Sequence, residues 1–122
     1  MVFTREQLNR LVEDELVHIS RSDLLERVKA LLIEPVLMKC AWEYGVSEEL
    51  YPCWKVACDA SRGVAIVRCE EGFGPKCPWG LVWDEIVPSM GQDCSWFMTF
   101  REAAADMLDV APALLDVRSQ YC

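Results

Sequence analysis

The sequence predicts a single α+β domain, spanning residues 1–122, with elements in the order ααββββα. Apolar residues recur at helical spacing at the start and near the end of the chain, whereas residues 38–83 show runs typical of strands. Separate blocks of helices and strands favour an α+β fold over a wound parallel sheet. The length of 122 residues and the hydrophobic fraction of 52% suit one domain with one core.

Two amphipathic helices at the start of the chain are predicted to form an N-terminal helical hairpin. Thr4 and Gln7 have the spacing of a capping box, and apolar residues then recur every three or four positions. Ser20 with Asp23, or Ser22 alone, is a candidate cap for the second helix. The proline at position 35 is expected to end that helix.

Four strands are predicted to follow and to form a mainly antiparallel sheet. Polar and apolar residues alternate in the first strand, and residues 59–63 have the length and the glycine of a hairpin loop between the second and third. A loop rich in glycine and proline precedes the fourth strand. The predicted strands span residues 38–44, 53–59, 64–69 and 79–83.

A C-terminal helix is predicted to cover the sheet. Thr99 and Glu102 have the spacing of another capping box, and the apolar residues after them recur at helical spacing. The preceding segment, residues 87–94, contains Pro88 and Gly91 and is interpreted as a loop. Pro112 is expected to start a short final turn of helix.

The charge of the chain favours some partners and disfavours others. Twenty acidic and twelve basic residues give a net charge of −8. This charge would repel nucleic acid and anionic membrane surfaces, so neither is an expected partner. It would speed the encounter with a basic protein. The alternative is that the acidic composition serves solubility alone.

The seven cysteines are predicted to be free and mostly buried. Their number is odd, no C-x-x-C pair occurs, and several occupy apolar strand positions, where a reduced cysteine behaves as a small hydrophobic residue. The N-terminus resembles no secretory signal, and no apolar run is long enough to cross a bilayer. These features together predict a cytoplasmic protein.

Catalytic, metal and cofactor sites are not expected. His18 is the single histidine, so neither a histidine-dependent triad nor a zinc site with two imidazoles can form within one chain. The glycines at positions 72 and 74 lack the Walker spacing of a phosphate-binding loop. Adjacent acids such as Glu70 and Glu71 point to different sides of a strand, which favours solvated surface charge.

Aromatic and acidic residues around two loops form the predicted partner-binding surface. Trp42 and Trp54 fall on the inward sides of strands and are expected in the core. The remaining tryptophans bracket the loops, where aromatic anchors beside acids suit a basic partner. An equally good interpretation is that these tryptophans fill the core between the sheet and the last helix. The predicted surface comprises Phe73, Trp79, Trp83, Asp84, Glu85, Asp93 and Trp96.

The sequence therefore favours a small, acidic, non-enzymatic protein-binding module. Immunity and inhibitor proteins that neutralise a basic toxin or nuclease share this size and charge, which is an analogy of type. One alternative is a small-molecule-binding or thiol-dependent enzymatic domain that uses the loop at residues 72–78, with Cys77 as the reactive group. Another is a structural subunit that buries an aromatic surface in a homodimer.

Overall fold

Helices cover one face of a central antiparallel sheet in the computed structural model. The structure describes residues 3–42, 49–71, 73, 76–91 and 93–117. Over these residues the chain forms three α-helices and five strands, which confirms the predicted α+β class and adds one strand to the predicted four. Within the same ranges, no helix combines the length and the apolarity needed to cross a membrane.

The helical hairpin consists of α1 (Arg5–Leu16) and α2 (Ser22–Leu31). The predicted capping box of α1 is present: the Gln7 N–H donates to Thr4 Oγ1 at 3.1 Å, and the Thr4 N–H donates to Gln7 Oε1 at 2.8 Å.

The predicted serine cap of α2 is wrong. Arg21 occupies the cap position without a side-chain hydrogen bond. Ser20 instead donates through its N–H and its hydroxyl to Asp116 Oδ2, at 2.7 and 2.9 Å. These bonds hold the pKa of the Asp116 carboxyl below its usual value. They tie the turn between α1 and α2 to the C-terminal part of the fold.

The strands of the sheet are β1 (Leu32–Ala41), β2 (Leu50–Asp59), β3 (Val64–Arg68), β4 (Trp79–Trp83) and β5 (Trp96–Phe97). They lie in the order β1-β2-β3-β4-β5, and all neighbouring strands are antiparallel. The predicted hairpin between the second and third strands is confirmed: the Gly63 N–H donates to the Asp59 carbonyl at 2.8 Å, and Gly63 has a φ of +67° that suits glycine.

Several strand boundaries differ from the prediction, most of all at the start of β1. Pro35 does not end α2 but lies inside β1, which begins at Leu32. An edge strand tolerates proline because one side of its backbone needs no strand partner, and β1 lies at the edge of the sheet with β2 as its neighbouring strand. No element was predicted at the two residues of β5, because two residues are too few to show an alternating or helical pattern. Residues 43 and 44 of the predicted first strand lie outside the described residues.

The main core lies between one face of the sheet and the helices. Helix α3 (Phe100–Leu108) covers this face with Phe100, Ala103, Ala104 and Met107, all at most 1% exposed. The Trp79 and Phe100 rings meet edge to face, with centroids 5.4 Å apart. A short 3-10 helix, Pro112–Leu115, follows α3 and adds Leu115 to this core.

A second, smaller core covers the opposite face of the sheet. Strand alternation places Val67 and Val82 on this face, one position away from residues that face the helices. Trp96 fills the space above Gly80, and its indole Nε1 donates to the Met90 carbonyl at 2.7 Å. This cluster contains Cys40, Cys53, Val67, Cys69, Cys77, Val82, Met90 and Trp96.

The first prediction concerns the cap of α3. Thr99 Oγ1 accepts from the Glu102 N–H at 3.2 Å and donates to Glu102 Oε1 at 3.0 Å. We expect Thr99→Ala to lower the free energy of unfolding by about 1 kcal/mol, measured by urea denaturation. Ser22→Ala is the matched control, because α2 has no side-chain cap. Equal effects of the two changes would show that the Thr99 cap contributes nothing.

The second prediction concerns the contact between Gly80 and Trp96. A Cβ atom at position 80 would lie 2.6 Å from two ring carbons of Trp96, which is 2% exposed and has no room to shift. We expect Gly80→Ala to destabilise the fold by about 1–3 kcal/mol, the usual range for overpacking. The penalty should shrink in a Trp96→Leu background, measured as a double-mutant cycle. Equal penalties in both backgrounds would contradict the contact.

Candidate functional site

The predicted binding tryptophans lie in three different environments. Trp79 and Trp96 are 4% and 2% exposed, whereas Trp83 is 67% exposed. The assignment of Trp79 and Trp96 to an accessible surface is therefore corrected. Trp79 is packed under α3, and Trp96 closes the second core. A partner can reach neither side chain without opening the fold.

Phe73 also belongs to the second core rather than to an open surface. Its ring is half-buried, and its centroid lies 5.8 Å from that of Trp96 and 5.6 Å from that of Trp42. Aromatic pairs at these separations stabilise one another. Phe73 thus helps to position Trp96, and the prediction that it contacts a partner receives no support from its packing. The side chain of Asp93 lies outside the described part of the chain.

Three of the exposed apolar residues lie together where β4 ends. Trp83 is the last residue of β4 and pairs with Val64 of β3, whereas β5 pairs only with the first two residues of β4. Beyond Trp83 the chain continues with two acids and two apolar residues before Pro88. Ile86 is 95% exposed and Val87 is 45% exposed. We refer to residues Trp83, Asp84, Glu85, Ile86 and Val87 as the 83–87 segment.

Both ends of the 83–87 segment are fixed to the sheet. At its start, the Asp84 N–H donates to the Gly63 carbonyl at 2.9 Å, in line with the β3–β4 ladder. Just after it, the Pro88 carbonyl accepts from the Ala41 N–H at 2.9 Å, which fixes the chain to the end of β1. The buried Pro88 adds to this anchoring. An exposed segment held at both ends loses less conformational freedom on binding than a free loop would.

Charge around the 83–87 segment is mainly acidic. Asp84 Oδ1 lies 3.0 Å from Lys55 Nζ, an ion pair that offsets part of its charge. Glu85 is exposed beside it. In the neighbouring hairpin, the Ser61 hydroxyl donates to Asp59 at 2.6 Å and lowers the pKa of that carboxyl, so Asp59 is an anion at neutral pH.

A groove of about 280 Å³ lies beside Trp83. This volume is near the lower end of the about 300–1,000 Å³ that is usual for small-molecule pockets, and it is also enough for one or two side chains of a protein partner. One acidic and one basic side chain are among the residues that line the groove. The groove extends the apolar surface of the 83–87 segment onto the body of the sheet. Its lining includes Arg62, Leu81, Trp83, Met90, Ser95 and Asp106.

Cys77 does not fit the alternative of a reactive thiol. It is 3% exposed and disulfide-bonded, so the prediction that all the cysteines are free is wrong at this position. The prediction holds for Cys40, Cys53 and Cys69, which are free and buried. Cys58 and Cys94 are free too, being half-buried and exposed respectively. Cys122, and residues 72, 74 and 75 of the proposed enzymatic loop, lie outside the described residues.

Metal-ligating side chains do not cluster within the described residues. No group of three or more histidine, cysteine, aspartate or glutamate side chains there could hold a metal ion. His18 is exposed just after α1, and its backbone N–H donates to the Glu15 carbonyl. Other exposed apolar residues, such as Leu37, lie on β1 and β2; the 83–87 segment is the candidate site because it combines three exposed apolar residues with two acids in five consecutive positions.

Sequence reasoning found part of this segment and missed the rest. Trp83, Asp84 and Glu85 were predicted, whereas Val87 was assigned to a loop and Ile86 to no role. The available signal was a pair of large apolar residues between the end of a strand and a proline, where neither strand alternation nor a helix period accounts for them. Such residues have no element to bury them, so exposure is the expected outcome.

Comparisons with known proteins leave the function to be argued from this geometry. No protein-family model, curated protein or solved structure matches the chain.

Proposed function

We propose that this chain is a small, acidic protein-binding module that holds a basic protein partner through the 83–87 segment. Immunity and inhibitor proteins that neutralise a basic toxin or nuclease are the functional class that this proposal favours, by analogy of size and charge. The supporting observation is that Trp83, Ile86 and Val87 are exposed within five residues that also carry two acids.

Burial of the apolar side chains would supply most of the binding energy. Tryptophan is enriched among the residues that dominate interfaces, and its truncation typically costs at least about 2 kcal/mol at such positions. Trp83 stands beside the groove that can accept a partner's side chain. Ile86 is 95% exposed, so nearly all of its surface is available for burial.

The acids would supply orientation and speed of encounter. The net charge of −8 steers a basic protein toward the chain, and acids at the rim of an interface act mainly on the association rate. Lys55 already pairs with Asp84, so Glu85 retains more of its charge for a partner's arginine or lysine. We therefore assign the anchoring role to Trp83 and Ile86 and the steering role chiefly to Glu85.

The two alternatives receive less support. A thiol-dependent reaction at Cys77 would need an accessible free thiol, and Cys77 is buried and disulfide-bonded. A homodimer through the 83–87 segment would place Asp84 and Glu85 of two copies near one another, and each copy carries a charge of −8. Like charges at an interface oppose association, so a basic partner suits this surface better than a second copy does.

The third prediction separates anchoring from steering. A partner is first captured from a lysate of the source cells and purified, and its binding kinetics are then measured at low and high salt. We expect Trp83→Ala to raise the dissociation rate by about 30-fold or more, which corresponds to about 2 kcal/mol. We expect Glu85→Lys to slow association and to weaken its salt dependence, with little change in stability.

Matched controls lie on the helical hairpin. Val17→Ala removes another exposed apolar side chain, 79% exposed, and Glu26→Lys reverses another exposed acid. Both should bind the partner much as the unmodified chain does. A captured protein that is not basic, or one whose kinetics are unchanged by Trp83→Ala and Glu85→Lys, would refute the proposed function.

A further inference from the structure

Two thiols of the second core face each other across neighbouring strands. Cys40 of β1 and Cys53 of β2 differ by two positions in register, since Met38 pairs with Cys53 and Cys40 pairs with Tyr51. Residues two apart on a strand share a face, so both thiols point into the second core. Their Sγ atoms are 2.6 Å apart, closer than the roughly 3.5–4.0 Å of ordinary contacts between nonbonded carbon atoms.

The protein holds this pair away from solvent. Cys40 is 0% exposed and Cys53 is 1% exposed, and both are free thiols. A third buried thiol, Cys69, belongs to the same cluster but has a different partner, because its Sγ donates to the Pro52 carbonyl at 3.3 Å. The cluster therefore contains one thiol–thiol contact and one thiol held by the backbone.

The two thiols of the contact differ in acidity. The hydrogen bond between the two thiols lowers the pKa of Cys40 and raises that of Cys53. Burial raises the pKa of Cys69 to about 12. Cys40 is thus the thiol that ionises most readily of the three, and a thiolate is the form that attacks an oxidant.

We propose that Cys40 and Cys53 form a dithiol oxidation site, at which hydrogen peroxide converts the pair to a disulfide bond. The Cys40 thiolate attacks one peroxide oxygen; the O–O bond breaks, and with one proton the products are a Cys40 sulfenic acid and water. The Cys53 sulfur then attacks the Cys40 sulfur, and the hydroxyl leaves with the Cys53 proton as a second water. Two thiols are oxidised, one peroxide is reduced, and two waters form.

The burial of the two thiols limits which oxidants can reach them. Hydrogen peroxide is small and uncharged, whereas a bulky disulfide such as oxidised glutathione cannot reach two thiols that are 0% and 1% exposed unless the second core opens. Contact between the thiols favours the second step over further oxidation, because the resolving thiol already touches the sulfur that it attacks. This site is separate from the 83–87 segment and does not depend on the proposed function.

The fourth prediction is tested by mapping disulfides after treatment of the native protein with hydrogen peroxide. Remaining thiols are alkylated, and a glutamate-specific protease cuts between the two cysteines at Glu43, Glu48 and Glu49. We expect a cross-linked peptide pair joining Cys40 to Cys53 to be the main new disulfide. In a Cys53→Ala variant, a dimedone-type probe should instead label Cys40 as a sulfenic acid.

Cys69→Ala is the matched control and should leave the Cys40–Cys53 cross-link unchanged. Treatment of urea-unfolded protein provides a second comparison, and a mixture of disulfides is expected there. Two results would overturn the proposal: Cys40 and Cys53 both remaining alkylatable under conditions that oxidise the exposed Cys94, or the same disulfide pattern arising from native and unfolded protein.

Discussion

Burial of both faces of the central strands is the constraint on which the rest of the structure depends. Adjacent residues of β3 and β4 point in opposite directions, so the sheet needs helices on one side and the smaller aromatic and cysteine core on the other. The contact of Trp96 with Gly80 closes the second side, and only a glycine leaves room for that ring. The 83–87 segment begins where this double cover ends.

Local signals in the sequence account for the parts of the fold that were predicted. The capping residues Thr4 and Thr99 satisfy the first N–H groups of their helices through bonds that span three residues, so neighbouring residues suffice to identify them. The hairpin ending at Gly63 is equally local. Pro35 was misassigned because its tolerance depends on the strand being at an edge, a property of the whole sheet.

The site was only partly predictable for a related reason. Trp79 and Trp83 lie on the same face of β4, since they are four positions apart, yet one is 4% exposed and the other 67%. Alternation gives the face of a side chain but does not show how far the covering layer extends along the strand. Likewise, Trp96 lies between the predicted loop at residues 87–94 and the predicted C-terminal helix, where no element was predicted, and its burial follows from a two-residue strand with no period to detect.

Selective fluorescence quenching of the tryptophans tests the central claim, that Trp83 is the exposed aromatic anchor of the 83–87 segment. Acrylamide quenching is measured on the native protein, on Trp83→Phe and on Trp96→Phe, whose target is 2% exposed. The structure predicts that Trp83→Phe removes the most accessible part of the emission, whereas Trp96→Phe leaves the quenching of that part unchanged. Unaltered quenching in Trp83→Phe would contradict the claim and, with it, the placement of the binding surface.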